Sequence, residues 1–171
     1  MTIEELAGVK KETSNYANIQ KMRSKILRQG FMRNNDNMQL DKIATISDTD
    51  YIDATKIRTI NAAWLYFEQT TKHNLVIMNI CDDKLTNLLR MQETIKQKMD
   101  GVILISDNEK QLVEELNKLV HVYQVEDMNE AVHLAYHIAS KEENIVLVSI
   151  DDNIEKTKHL SAEFANRVFS L

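Results

Sequence analysis

The sequence has no proline, three glycines and one cysteine in 171 residues. So little glycine and proline leaves few tight turns and few places where backbone can press against a ligand. The lone Cys81 excludes an internal disulfide framework and fits a reducing, cytoplasmic compartment. No apolar run reaches the length of a membrane span, and the opening "MTIEELAGVKKE" is too acidic and polar for a signal peptide. A surplus of basic charge is also missing. The net charge of −5 argues against nucleic acid as a partner, since that role needs a concentrated basic face. What is present is an ordinary globular composition, 43% hydrophobic and 27% charged, in a length that suits one domain with a small appendage.

Residues 1–50 differ in character from the rest. Met1–Gly30 has helical spacing, with Ile3, Leu6, Ile19, Met22, Ile26 and Leu27 on one side and Gly30 placed as a C-cap. A polar loop, "MRNNDN", follows. The segments "LDKIATI" (40–46) and "DYIDA" (50–54) alternate like two short strands around a turn at 47–49. From residue 55 onward, helices are expected at about 57–72, 84–99, 108–119, 128–140 and 155–169. Between them lie strand-length runs at 74–80, 101–106, 120–125 and 144–150. Runs apolar on both faces, alternating with amphipathic helices, predict an α/β fold: a Rossmann-like open, mostly parallel sheet with helices on both faces, preceded by an N-terminal helical segment. The domain reading is 1–37 as a helical extension and 38–171 as the α/β domain.

Ligands in such sheets sit at the carboxyl ends of the strands. Those ends read "NICDDK", "ISDNEK", "QVEDMNE" and "SIDDNIE", each carrying aspartate. Asp is a favoured N-cap, and Asp127/Glu130 and Asp152/Glu155 have capping-box spacing, so capping is the simplest role for these acids. The alternative is a divalent-cation site from Asp82, Asp83, Asp151 and Asp152, which requires their strands to be neighbours. In "YIDATKIRTINAAW" (51–64), Lys56 stands where a strand hands over to a helix, a place for an anion, yet no glycine is there to admit one. His133 and His137 are spaced i, i+4 without a third ligand, on the solvent flank of a helix expected to bury Val132, Ala135, Ile138 and Ala139. No metal is therefore assigned. Cys81 reads as a packed thiol, and Trp64, Tyr66 and Phe67 as core.

Taken together, "MQLDKIATISDTDYIDATKIRTINAAWLYFE" (38–68) and "VIMNICDDKL" (76–85) resemble the muramoyl-peptide (Mur) ligase family, and within it the D-glutamate-adding member. The family pattern runs "HRLE-(V/I)-AT-…-(Y/F)-IND-SKATN-x-NATW-x-A-L-E", followed by a strand and "GG-x-DKG". "DGVILISDNEKQLVEEL" and "VEDMNEAVHLAYHIASKEENIVLVS" resemble later strand–helix units of the same C-terminal domain, so the similarity covers about 38–149. "RSKILRQGF" (23–31) resembles the last helix of the family's central ATPase domain.

The departures bear on function. No G-x-x-x-x-G-K-(S/T) phosphate loop exists here, and the family's N-terminal and ATPase domains are not expected to fit in the chain. Met38 and Gln39 replace the His and Arg of "HRLE". Ala54, Arg58 and Thr59 replace the Asp, Thr and final Asn of "NDSKATN". Ile80, Cys81 and Leu85 replace the glycines of "GG-x-DKG". Lys56 and Lys84 keep the lysines of "SKATN" and "DKG". The resemblance implies that both approach the carboxylates of an incoming amino acid, with Thr55 supplying a hydroxyl and Asp83, Arg58 and Ser149 as supporting positions. Two ammonium groups at adjacent strand ends would suit a dicarboxylate such as D-glutamate; otherwise both are solvated surface lysines. No catalytic residue is assigned. The expectation is a stand-alone, degenerate copy of the C-terminal domain that binds D-glutamate, a muramoyl-peptide or a protein partner, a second copy included, in the cytoplasm and away from membranes. No cofactor is expected for it alone, with ATP and Mg entering only if a ligase ATPase domain complements it. The alternatives are a fragment or trans-acting subunit of an ATP-dependent ligase, and a structural α/β module with an unrelated ligand.

Overall fold

The computed structural model describes residues 40–105 and 110–171. The expected N-terminal helix, the 37/38 boundary, the Met38–Gln39 departures and the aspartate of "ISDNEK" lie outside the described residues.

The described chain opens with a hairpin, β1 (Asp41–Ile46) and β2 (Thr49–Asp53), paired antiparallel. Ser47 and Asp48 both have positive φ, 52° and 67°, so this is a two-residue loop of the primed kind built without glycine. Then follow α1 (Ile60–Gln69), β3 (Asn74–Ile80), a 3-10 turn at Asp82–Lys84, α2 (Leu85–Leu89), α3 (Gln92–Lys98), β4 (Met99–Ile105), α4 (Lys110–Asn117), β5 (Val122–Val125), α5 (Met128–Ile138), β6 (Asn144–Ile150) and α6 (Ile154–Phe169). The six strands form one sheet in the order β1-β2-β6-β3-β4-β5, parallel from β2 to β5.

The central strands β3 and β6 are buried at every residue, which is why their sequences are unbroken apolar runs rather than alternating ones. Period two then sorts their side chains onto two cores. Val76, Met78, Ile80, Val146, Val148 and Ile150 face α1, α2, α3 and α4, together with Ile60, Phe67, Leu88, Ile95 and Leu112. Leu75, Ile77, Ile145 and Leu147 face α5 and α6, with Val132, Ala135, Phe164 and Val168. The sheet is thus covered on both sides, as the alternation of elements predicts.

Three details differ from expectation. The region 84–99 is not one helix but a 3-10 turn and two short helices, bent between Leu89 and Gln92. No proline or glycine marks the break, and Leu85, Leu88, Met91 and Ile95 are compatible with one continuous face; all four are buried in the bent arrangement. In α5 the buried side chains are Met128, Ala131, Val132 and Ala135, whereas Ile138, the last residue of the helix, is exposed. At α6 the N-cap is Asn153, whose Oδ1 accepts from the Lys156 N–H at 3.0 Å, so Asp152 is displaced from the capping role its spacing suggested. Asp127 does cap α5, accepting from the Glu130 N–H at 2.9 Å, while Glu130 accepts in return from the Glu126 N–H at 2.8 Å.

Candidate functional site

The carboxyl ends of β3 and β6 are neighbours in register, Ile80 opposite Ile150. β2 lies on the far side of β6, so the ends of β2 and β3 are separated by a whole strand and are not adjacent as first read. The end of β3 feeds the 3-10 turn and α2 on the face of α1, whereas the end of β6 feeds α6 on the other face. Between them opens a cleft of about 300 Å³ lined by Arg58, Thr59, Ile60, Asn61, Lys84, Asn87, Arg90, Ile150 and Asp152.

The floor is built by the fold. Thr59 is extended and caps α1, its Oγ1 accepting from the Ala62 N–H at 3.2 Å, which turns the first turn of α1 toward the cleft. No acidic residue stands in that first turn. Arg58 is tethered by an Nη2–H bond to the Asp151 carbonyl at 2.9 Å, which leaves the rest of its donor fork for other partners. Asp151 is held in turn. Its Oδ1 accepts from the Asn153 N–H at 2.9 Å and its Oδ2 from Asn79 Nδ2 at 3.2 Å, while the Lys156 ammonium forms an ion pair with Oδ2 at 3.6 Å. Burial by itself would push the Asp151 carboxyl up, but these donors outweigh it and hold it below the usual carboxylate value. Lys84 enters from the 3-10 turn, with Nζ 3.8 Å from Asp152 Oδ1. Asp152 is 89% exposed, so this pair contributes little and is easily opened.

The sequence-predicted residues divide. Lys84 and Arg58 meet in the cleft. Lys56 does not line it; exposed after β2, it pairs with Asp41 of β1 at 3.5 Å. Thr55 is buried, its N–H donating to Asp53 Oδ1 at 2.9 Å, and Asp53 also accepts from the Ser161 hydroxyl. Ser149 is buried among Asn79 Nδ2 at 3.0 Å and Thr157 Oγ1 at 2.9 Å, so its hydroxyl serves the sheet. Asp83 is exposed beside Lys84. Among the described residues no three His, Cys, Asp or Glu side chains converge as metal ligands. His133 and His137 are both exposed, and His133 Nδ1 lies 2.9 Å from the Asn129 carbonyl of its own helix. Burial, then the Asp151 and Asp83 charges, push the Cys81 thiol up, away from thiolate chemistry. Trp64 donates from Nε1 to Thr94 Oγ1 at 2.9 Å, a core contact as expected. Asn61 is exposed and lines the cleft, because α1 turns that position away from the sheet.

Arg90 and Asn87 escaped the sequence reading. The available signal was helical and reached Asn87 alone: it lies three residues after Lys84, whereas Arg90, six residues after, falls about 120° round an unbroken helix. The break in that segment decides where Arg90 ends up.

No family model matches the chain. Its sequence is 31% identical over 110 residues to the UDP-N-acetylmuramoylalanine–D-glutamate ligase of Porphyromonas gingivalis, a match covering 64% of this chain and 24% of that protein. The same ligase of Chloroherpeton thalassium is 26% identical over 109 residues. The chain spans about a quarter of the length of the curated relatives it matches. In fold it is similar to a crystallised domain of a Haemophilus ducreyi protein described as a UDP-N-acetylmuramate:L-alanyl-γ-D-glutamyl-diaminopimelate ligase, with TM-score 0.53, 13% identity, 75% of this chain and 98% of that one covered. The sequence similarity to Mur ligases is therefore real, and the fold is that of their C-terminal α/β domains.

Proposed function

We propose that this Mur-ligase-like domain binds a small anionic wall precursor, D-glutamate or a muramoyl-peptide, in the cleft at the ends of β3 and β6, and does not hydrolyse ATP by itself. One observation carries the reading: Lys84 and Arg58, far apart in sequence, share one cleft with Arg90 at the carboxyl edge of a parallel sheet. Arginine forks and an ammonium beside a helix N-terminus are donors suited to carboxylates and other oxyanions. The ligase relatives act on a substrate of that charge, as their name states for D-glutamate. Lys56, paired with Asp41, has a lesser part in this reading, and Thr55 and Ser149 support the fold beneath the site. A cytoplasmic location belongs to the proposal.

Thermal unfolding with added D-glutamate or muramoyl-dipeptide tests it. A ligand at a hundred times its Kd stabilises the native state by about 2.7 kcal/mol. The expected result is a rise in Tm with D-glutamate or the dipeptide that disappears in Lys84→Ala. No shift from either at millimolar concentration rejects the wall-precursor reading.

A second reading rests on the similarity to a ligase: the domain works together with a ligase ATPase domain. Phosphate release from ATP on mixing with a ligase ATPase domain, absent from either alone, distinguishes the two.

A further inference from the structure

The cleft is more cationic than the family resemblance accounts for. The resemblance implies one lysine here, Lys84, and a hydroxyl where Arg58 stands. The structure adds two guanidinium groups, Arg58 ahead of α1 and Arg90 at the end of α2. In a chain of net charge −5, three of the nine lining residues are cations, against one carboxylate, Asp152, which is almost fully exposed. A single carboxylate would leave most of that charge unmatched.

We infer that this cleft is a phosphate site: its ligand is a small molecule presenting a phosphate group to Arg58, Lys84, Arg90 and the first turn of α1. The inference rests on the reading above that the cleft is a ligand site, and it names the group that enters. A phosphate monoester carries roughly −1.5 to −2 charge at pH 7 with three strong acceptor oxygens. Donors here reach the cleft from separate places: the segment before α1, the 3-10 turn, and the end of α2. That arrangement suits a tetrahedral group better than a planar carboxylate. The first-turn amides of a helix lack intrahelical partners and point at the dipole's positive end. Ile60 and Asn61 hold those positions on α1, a helix of ten residues with no acid in its first turn. Arg58 is already anchored through the Asp151 carbonyl, so little ordering is needed to engage its free donors. Lys84 need only leave Asp152, which is free to swing into solvent.

Calorimetric titration at fixed ionic strength tests this, with inorganic phosphate and glycerol phosphate in one arm and glutarate, a dicarboxylate, in the other. Phosphate should bind at least about tenfold more tightly than glutarate. Arg90→Ala should weaken phosphate by roughly ten- to a hundredfold, as expected for one lost charge-assisted fork. Its effect on glutarate should be much smaller. Arg90 is exposed, so an unchanged Tm without ligand checks that the variant folds, and Arg90→Lys should recover part of the affinity. Affinity for glycerol phosphate, a monoester, should also rise between pH 5.5 and 7.5, as its second proton with pKa about 6 is lost, and by more than the affinity for glutarate does. If glutarate, D-glutamate or muramoyl-dipeptide binds and phosphate does not, the phosphate inference fails and the anion site stands. If phosphate binds equally well to Arg90→Ala, the assignment to this cleft fails. If no anion binds, both the inference and the reading beneath it fail.

Discussion

Both ends of the parallel strands carry polar groups bonded to one another, and the carboxyl ends add cations that face a cleft. At the amino ends, among the described residues, the buried side chains of Asn74, Asn144 and Glu143 are each tied to a polar partner. Asn74, fully buried at the start of β3, donates from Nδ2 to the Lys98 carbonyl at 2.9 Å and to Thr70 Oγ1 at 3.1 Å, and its Oδ1 accepts from Asn144 Nδ2 at 3.3 Å. Lys98 Nζ donates to the Thr70 carbonyl at 2.8 Å, and His73 Nδ1 meets Asp100 Oδ1 at 2.7 Å. Glu143 is buried and accepts from the Ser140 N–H. Gly101, the one glycine among the described residues, also lies at this end, where an added Cβ would come within 3.0 Å of Leu75 Cδ1. At the carboxyl ends the cations stand beside an open cleft with donors to spare. Polar groups satisfied by each other stabilise the fold, and polar groups left facing a cleft are available to a ligand.

The contrast can be broken from either side, and the largest effect is expected at the amino end. Asn74→Ala leaves Asn144, Thr70 and the Lys98 carbonyl without their partner in a buried place. It should destabilise by about 2–3 kcal/mol in urea unfolding, with ligand affinity unchanged in the fraction that folds. Lys84→Ala should do the reverse. Stability should stay within about 0.5 kcal/mol, since only an exposed ion pair is lost. Anion affinity should fall roughly tenfold by calorimetry.

A pH titration sharpens the same contrast. Burial, followed by a hydrogen bond shared with the Asp100 carboxyl, raises the Glu143 carboxyl above its ordinary value. The folded state therefore holds this proton more tightly than the unfolded chain. Its stabilising contribution is complete below the ordinary carboxylate pKa and is lost as pH rises through the raised folded value. Glu143→Gln imitates the protonated form, so its stability should fall less than wild type's between pH 4 and 7, as measured by urea midpoints. Asp151 has the opposite sign: its carboxyl is lowered, so its contribution is present above the ordinary value and fades as pH falls through the folded one. The smallest effect belongs to the hairpin, away from both ends. Asp48→Gly relieves a positive φ of 67° and should add up to about 1 kcal/mol of stability without altering ligand affinity.

Much of the fold was legible because its signals are local. The runs 74–80 and 144–150 coincide with β3 and β6, and apolar residues on both faces already imply cover on both sides. The break in 84–99 carried no local signal, and it is this break that sets the end of α2 and hence Arg90. Sheet order was equally hidden. Nothing in the spacing says that β6 inserts between β2 and β3, and that insertion separates Lys56 from Lys84 and brings Arg58 beside Asp151 instead. The family resemblance put Lys84 forward as a site residue. Arg90 came only from the tertiary arrangement.

The most direct test of the cleft is an amide chemical-shift map of the whole chain during titration with inorganic phosphate and, separately, D-glutamate. The account predicts saturable shifts concentrated at Ile60, Asn61, Asn87 and Arg90, with Asn74, Gly101 and Asn144 unmoved. Shifts centred on the amino ends of the strands, or none with either anion, would contradict it.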